Sequence, residues 1–202
     1  MEVFTDIIQG TDEWKALRLG IQTSSKFDAV REKDGPRGGI AKGRQTYMYK
    51  LAGEIITGEP MANVTNANMD KGHEREPEAR NLYAFLKDVE PVEVGFIRNG
   101  HCGYSPDALI GHDGLWENKN AEPHIQIERL LMGTLPPEHK AQCQGGLMVA
   151  KREWLDFQST CRGLPPLIIR VERDERYIAA LQIDINEFAD ELDELVTKIR
   201  SM

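Results

Sequence analysis

The stretch "SPDALIGHDGLWENK", residues 105–119, holds one Asp, a group of turn-forming residues, and then a Glu and a Lys two positions apart. DALIG and LWENKNA read as strands, and GHDG between them reads as the turn. Folding at Gly111 to Gly114 brings Asp107 roughly opposite Asn118, so its neighbours across the ladder are Glu117 and Lys119. A period of two puts Glu117 and Lys119 on one face of the strand and Trp116 and Asn118 on the other. Pro106 shapes the entry to the first strand. Two carboxylates held together repel unless a cation offsets them. Hard oxygen donors with open positions suit Mg²⁺ or Mn²⁺. Such an ion acidifies water and neutralises charge building on a phosphate. A nearby lysine orients that water, or accepts its proton, and adds positive charge. An isolated Glu-x-Lys is usually an exposed pair worth little. The upstream Ser-Pro-Asp across a turn shifts the reading toward hydrolysis of a phosphodiester.

The rest of the chain bounds that reading. Its 202 residues suffice for one well-cored domain, 1–202, and are too few for two. Hydrophobic residues make up 40% and charged residues 29%, the composition of an ordinary soluble protein. No apolar run reaches the length of a membrane span, and MEVFTDIIQG is acidic and lacks an apolar signal core. Cys102, Cys143 and Cys161 are widely spaced and form no Cys-x-x-Cys, which argues against a disulfide framework or a zinc ribbon. The five histidines show no ligand spacing and read as surface or loop residues.

The net charge of −8 argues against coating nucleic acid through bulk charge. The charge is uneven, however. Bases outnumber acids from Lys26 to Lys50, and acids outnumber bases from Glu172 onward. A basic segment on an acidic body can bind a polyanion locally, although scattered solvated lysines are the commoner explanation.

Helical signals come first along the chain. Thr11 caps a short helix carrying Trp14, Leu17 and Arg18, with Trp14 expected in the core. TSSKFDAVRE offers a second short helix, and residues 34–39 a glycine-rich loop. Residues 43–57 carry helical spacing ended by Gly58, and 68–87 form another helix that starts or kinks at Pro77. Then VEVGFIRNG (92–100) reads as a strand, followed by the hairpin. PEHKAQCQGGLMVAKR reads as a helix in which Gly145 and Gly146 each cost ~1 kcal/mol relative to Ala. Two strands follow, EWLDFQS and LIIRVERD. A closing helix starts at an Asp184 cap with Phe188, Leu192, Leu195, Val196 and Ile199 as its apolar stripe. This order predicts an α/β (α+β) fold with a mixed central sheet flanked by helices.

Five ordered blocks resemble the phage lambda-type exonuclease, or viral recombinase, family of the PD-(D/E)XK nuclease superfamily. They are EWKALRLGIQTSSKF (13–27), GHERE (72–76), GYSPDALI with LWENK, KAQCQGGLMV, and IIRVERDERYIAAL. The resemblance implies a restriction-endonuclease-like core. It implies Asp107, Glu117, the backbone carbonyl of Asn118 and the helical Glu76 as metal ligands or their supports. It implies Lys119 as the water-activating residue, Gln142 beside it, and Arg18, Ser25 and Ser105 as a pocket for a 5′-phosphate. Two departures stand out. Asn118 replaces the usual apolar residue of Glu-x-Lys, and residues 120–137 lack the family's usual Cys-Pro, so no contacts are carried across them.

The implied function is a Mg²⁺-dependent 5′-to-3′ exonuclease, with Mn²⁺ able to substitute. It would act on double-stranded DNA ends and leave 3′ overhangs for phage-type recombination. It would work in the cytoplasm of a host cell, as a homo-oligomeric ring (a trimer by the resemblance) with a single-strand annealing protein. The alternatives are a restriction- or repair-type endonuclease on the same core, and a catalytically silent protein that binds DNA ends.

Overall fold

The computed structural model describes residues 1–34, 40–61 and 67–202, so most of the expected loop at 34–39 lies outside the described residues. Nine strands among them form two mixed sheets. The smaller sheet has the order β1-β4-β5-β2, built from β1 (Glu2–Phe4), β4 (Phe96–Asn99), β5 (Cys102–Tyr104) and β2 (Gln22–Thr23). The larger has the order β3-β6-β7-β8-β9, built from β3 (Pro91–Val92), β6 (Ala108–Ile110), β7 (Gly114–Asn120), β8 (Trp154–Thr160) and β9 (Leu167–Glu172). Strands β7 and β8 are parallel, and the other neighbours in that sheet are antiparallel.

The hairpin is β6 and β7, with Ala108 opposite Trp116, Leu109 opposite Leu115 and Ile110 opposite Gly114. The loop is Gly111–Asp113, one residue shorter than the turn expected from Gly111 to Gly114. Gly111 takes φ +53°, the left-handed conformation that closes such short loops. The register is therefore shifted by one, and continuing it sets Asp107 against Glu117 rather than Asn118. Residues facing across a ladder share a face, so the two carboxylates point the same way. Arg152 holds this loop by donating to the carbonyls of Gly111 at 2.8 Å and Gly114 at 2.7 Å.

The alternation along β7 is as expected. Leu115 enters the large hydrophobic cluster with Leu147, Leu155 and Phe157, while Trp116 enters a second with Tyr83, Ala108 and Ile110. Fully burying side chains of this size stabilises by about 1.5–3 kcal/mol each. The Trp116 cluster draws Ala79 and Tyr83 from helix α4 (Ala67–Lys87), whereas the Leu115 cluster draws on helices α6 (Lys140–Ala150) and α7 (Glu175–Arg200). The sheet is thus covered on both sides.

Helices α1 (Asp12–Leu17), α2 (Phe27–Arg31) and α3 (Lys42–Thr57) lie where the caps and periodicity place them. The Thr11 hydroxyl accepts from the Trp14 N–H, and Gly58 closes α3 at φ +71°. Helix α4 covers Ala67–Lys87, close to the expected 68–87, and runs through Pro77 rather than starting there. Two further expectations are corrected. The segment 92–100 is two strands in different sheets, and between them Gly95 passes so close to the Ile7 carbonyl that a Cβ would stand 2.1 Å away. Helix α7 is capped by Asp174, whose Oδ1 accepts from the Tyr177 N–H at 3.0 Å, and Asp184 lies in its interior. The reason is that Ile178, Leu181 and Ile185 extend the apolar stripe backwards, and all three are buried. The stretch 120–137 contains helix α5 (Pro123–Met132), with Pro123 in its first turn and Gly133 as its left-handed stop.

Three bases of the basic segment found in the sequence pair with acids of α7. Arg31 and Lys33 both pair with Asp184, Lys33 also with Glu187, and the buried Arg44 with Glu191. The glycines of α6 also find their reason. A Cβ on Gly145 would lie 2.2 Å from the Phe27 ring, and one on Gly146 2.8 Å from the Tyr104 ring. Gly145→Ala therefore lowers stability by about 1–3 kcal/mol through overpacking, despite the better helix propensity of alanine, as read from the urea midpoint.

Candidate active site

Glu117 is 3% exposed, yet it is a carboxylate with three side-chain donors. Tyr104 Oη donates to Oε2 at 2.7 Å, while Lys119 Nζ at 2.7 Å and Gln142 Nε2 at 2.6 Å donate to Oε1. These donors come from three elements, β5, β7 and α6. Charge-assisted bonds of this kind are what let a carboxylate stay buried. Asp107 joins from the end of β6, with Oδ2 accepting the Asn118 backbone N–H at 2.6 Å. Burial and the charge of Glu117 push the Asp107 carboxyl well above the usual range, and Glu76 on α4 adds to the rise. Lys119 and the Asn118 N–H oppose it. Burial lowers the Lys119 ammonium, but Glu117 and Asp107 together more than offset that and raise it. The site is a carboxylate pair that favours a cation, with one ammonium already at its edge.

The Asn118 side chain turns to the other face, where its Oδ1 accepts from Thr160 at 3.2 Å. That polar partner explains why the middle of Glu-x-Lys tolerates Asn here. Gln144 points away as helical geometry requires: its Nε2 donates to the Glu172 carbonyl and its Oε1 accepts from the Asp174 N–H.

Next to the carboxylates lies a cavity of about 150 Å³ whose lining includes Trp14, Arg18, Ser25, Ser105 and Gln142. Arg18 stacks over the Trp14 ring at 4.0 Å and donates to Ser105 Oγ at 3.1 Å. Burial pulls its guanidinium down to about 10. Among the described residues no carboxylate lies within ion-pair distance of it, and Asp12 pairs with Lys15 instead. Trp14 is not a core residue. Its Nε1 donates to Ser105 Oγ and to the Gly95 carbonyl, both at 3.0 Å. With Trp14 and Arg18 occupying both Ser105 lone pairs, the serine's own hydrogen is free to donate into the cavity. Gln9 Nε2 ties the carbonyls of Val94 and Pro106 together at 3.0 and 2.9 Å, which fixes the Ser-Pro-Asp backbone. Ser25 is exposed on the single 3₁₀ turn Ser24–Lys26. A second cavity, of about 460 Å³, is lined by Ser25, Asp28, Lys119, Glu138, His139 and Gln142, so the two cavities meet at Ser25 and Gln142.

Of the residues singled out in the sequence, Asp107, Glu117, Lys119 and Gln142 converge, and Arg18, Ser25 and Ser105 share the adjoining cavity. Glu76 stands near enough to act on Asp107 electrostatically. Sequence reasoning missed Tyr104, Gln9, the polar role of Trp14, and His139, which is largely buried rather than a loose surface residue. Tyr104 had a signal, since a tyrosine directly precedes Ser-Pro-Asp. Gln9 and His139 had none.

Comparison with known proteins identifies the fold and the family. The crystal structure of an alkaline exonuclease (LHK-Exo) from Laribacter hongkongensis is 33% identical, with a TM-score of 0.85 over 95% of this chain and 97% of that one. The structure of LHK-Exo in complex with dAMP is also 33% identical over the same shares, with a TM-score of 0.86. A phage related exonuclease from Haemophilus somnus 129PT, 12% identical with a TM-score of 0.69 over 92% of this chain and 99% of that one, shares the fold. No curated protein sequence matches the chain. Fold and relatives define a nuclease enzyme with a PD-(D/E)XK-like core. More narrowly, the model of the YqaJ-like viral recombinase domain matches residues 13–153, and the chain belongs to that family.

The buried donor to Glu117 gives a direct check. Tyr104→Phe removes one bond to a charged acceptor and costs about 1.5–3 kcal/mol, measured by denaturant unfolding in the presence of a chelator.

Proposed function

We propose that this nuclease is a divalent-metal-dependent exonuclease that degrades the 5′-ended strand of linear duplex DNA, with residues 1–202 acting as one nuclease domain. The observation that carries this reading is the junction of two sites. A half-buried Arg18 with no carboxylate within ion-pair distance among the described residues, beside an outward Ser105 hydroxyl, forms an anion pocket that shares Gln142 with the Asp107–Glu117 pair. A terminal 5′-phosphate held by Arg18, Ser105 and Ser25 leaves the next phosphodiester at the carboxylates. That arrangement suits an enzyme that needs an end.

The donor set fits Mg²⁺ or Mn²⁺. Asp107 and Glu117 are oxygen donors facing one way, the one half-buried and the other buried, and mutually repelling, and a cation between them relieves that repulsion. Asp107, Glu117 and the Asn118 carbonyl would hold it, with Glu76 supporting Asp107. The described side chains gather no closed group of three His, Cys, Asp or Glu. The proposed set is open, as suits a hard ion that keeps positions for water and phosphate oxygens. When bound, the ion supplies a Lewis acid that acidifies water and offsets charge on the phosphate. Lys119 orients the attacking water and places its ammonium against the charge developing on the phosphoryl oxygens. Gln142 holds Glu117 in position from α6.

The family resemblance supports the remaining parts: 3′ overhangs for recombination, a homo-oligomeric ring around DNA, a single-strand annealing protein as partner, and work in the host cytoplasm. No described helix is long and apolar enough to cross a membrane.

The first test is digestion of linear 5′-phosphorylated duplex with Mg²⁺ beside the same DNA as a closed circle. Loss of the linear form alone, with release of mononucleotides, is the expected result; cutting of the circle would instead establish an endonuclease. Lys119→Ala is expected to abolish cleavage while DNA binding persists. Arg18→Gln is expected to erase the preference for a 5′-phosphate over a 5′-hydroxyl end, a loss of roughly ten- to a hundredfold for a charge-assisted contact. Equal preference in Arg18→Gln and the wild type would remove the phosphate role from this pocket.

A further inference from the structure

His139 sits between the Arg129 guanidinium and the larger cavity. Arg129 is itself fixed. It is 9% exposed, and its Nη1 donates to Ser159 Oγ at 3.0 Å. Ser159 donates to Gln126 Oε1 at 2.6 Å, and Gln126 Nε2 donates to the carbonyls of Ser159 and Pro165. Ser159 faces Lys119 across the β7–β8 ladder, so this network is anchored directly beside the site. Arg129 Nη2 then meets His139 Nε2 at 2.8 Å.

A guanidinium has donors and no acceptor, so Nε2 must accept. The ring is therefore neutral, and its one proton is on Nδ1. Phe157 packs against the ring at 5.0 Å between centroids and limits its rotation. Among the described residues no acceptor meets Nδ1, and that atom is not among the fully buried unpaired ones. The ring lines the cavity of about 460 Å³ together with Lys119 and Gln142. Burial, followed by the charges of Lys119 and Arg129, pushes the imidazole down to about 4, and Glu138 opposes this. A neutral ring at physiological pH agrees with the tautomer read from the hydrogen bond.

We propose that His139 touches the substrate, its Nδ1–H donating to a non-bridging phosphate oxygen of the DNA strand that enters the cavity beside Lys119. This rests on the nuclease reading above. The chemistry is that of an oxyanion acceptor. Lys119, Gln142 and His139 present donors, whereas Asp28 and Glu138 on the same lining repel phosphate and confine the contact to the donor wall. A neutral donor adds a bond without placing a third cation beside Lys119 and Arg129.

The test uses the full chain and binding in EDTA, so that it does not depend on turnover. The probes are 5′-phosphorylated duplexes in which one linkage at a time along the 5′-ended strand is a methylphosphonate, which removes one acceptor oxygen and its charge. Wild-type protein is expected to lose affinity at several linkages. At one of them a loss of about tenfold should vanish in His139→Phe, which keeps the ring packing. Equal sensitivity of His139→Phe and wild type at every linkage overturns the proposal. Independently of any variant, long-range ¹H–¹⁵N spectra of histidine-labelled protein should show a neutral Nδ1–H ring at neutral pH; an Nε2–H ring or an imidazolium overturns it. Wild-type protein that neither binds duplex ends nor cuts linear DNA would instead remove the nuclease reading on which the proposal stands.

Discussion

A single buried carboxylate organises the centre of this molecule. Glu117 can stay out of water because three donors close on it, and each arrives on a different element. Strand β5 of the smaller sheet brings Tyr104, strand β7 brings Lys119, and helix α6 brings Gln142. Removing water from a charge costs several kcal/mol unless bonds replace the hydration, so these elements must dock together. The two glycines of α6 are part of the same requirement. They let the helix approach Phe27 and Tyr104 closely enough for Gln142 to reach Glu117.

The distribution of charge follows a related logic. The molecule carries a net −8, and Arg31, Lys33 and Arg44 of its basic segment are taken up in pairs with α7. What counts for an anionic substrate is then where cations remain without a carboxylate. Among the described residues no carboxylate lies within ion-pair distance of Arg18, which is stacked on Trp14 and fixed by Ser105. Local placement of one guanidinium in a small cavity matters more here than the overall sign of the field. The Arg18 cavity and the carboxylate pair are held in one frame because Ser105 and Asp107 flank a single proline whose carbonyl Gln9 holds.

Much of the fold was legible because its signals are local. Strand alternation at Leu115 and Trp116, the Thr11 cap and the Gly58 stop all act within a few residues. The errors arose where tertiary contacts override such signals. Asp184 looks like a cap because it is followed by Glu187, but the stripe of Ile178, Leu181 and Ile185 is buried in the core and carries the helix past it. The strand expected at 92–100 breaks where the N-terminal segment crosses at Gly95. The hairpin register shifted by one because the left-handed Gly111 closes a shorter loop.

The sequence by itself determined the hairpin, the residue types at its mouth, and the helices whose caps and stripes lie within their own spans. Those depend on neighbours along the chain, and the chain order states them. Only the tertiary structure decided that Tyr104 completes the shell of Glu117, that Trp14 serves a serine rather than the core, and that Arg129 fixes the proton on His139. Each of these joins side chains on different elements. Their pairing is set by how sheets and helices pack, and no local pattern of residues encodes it.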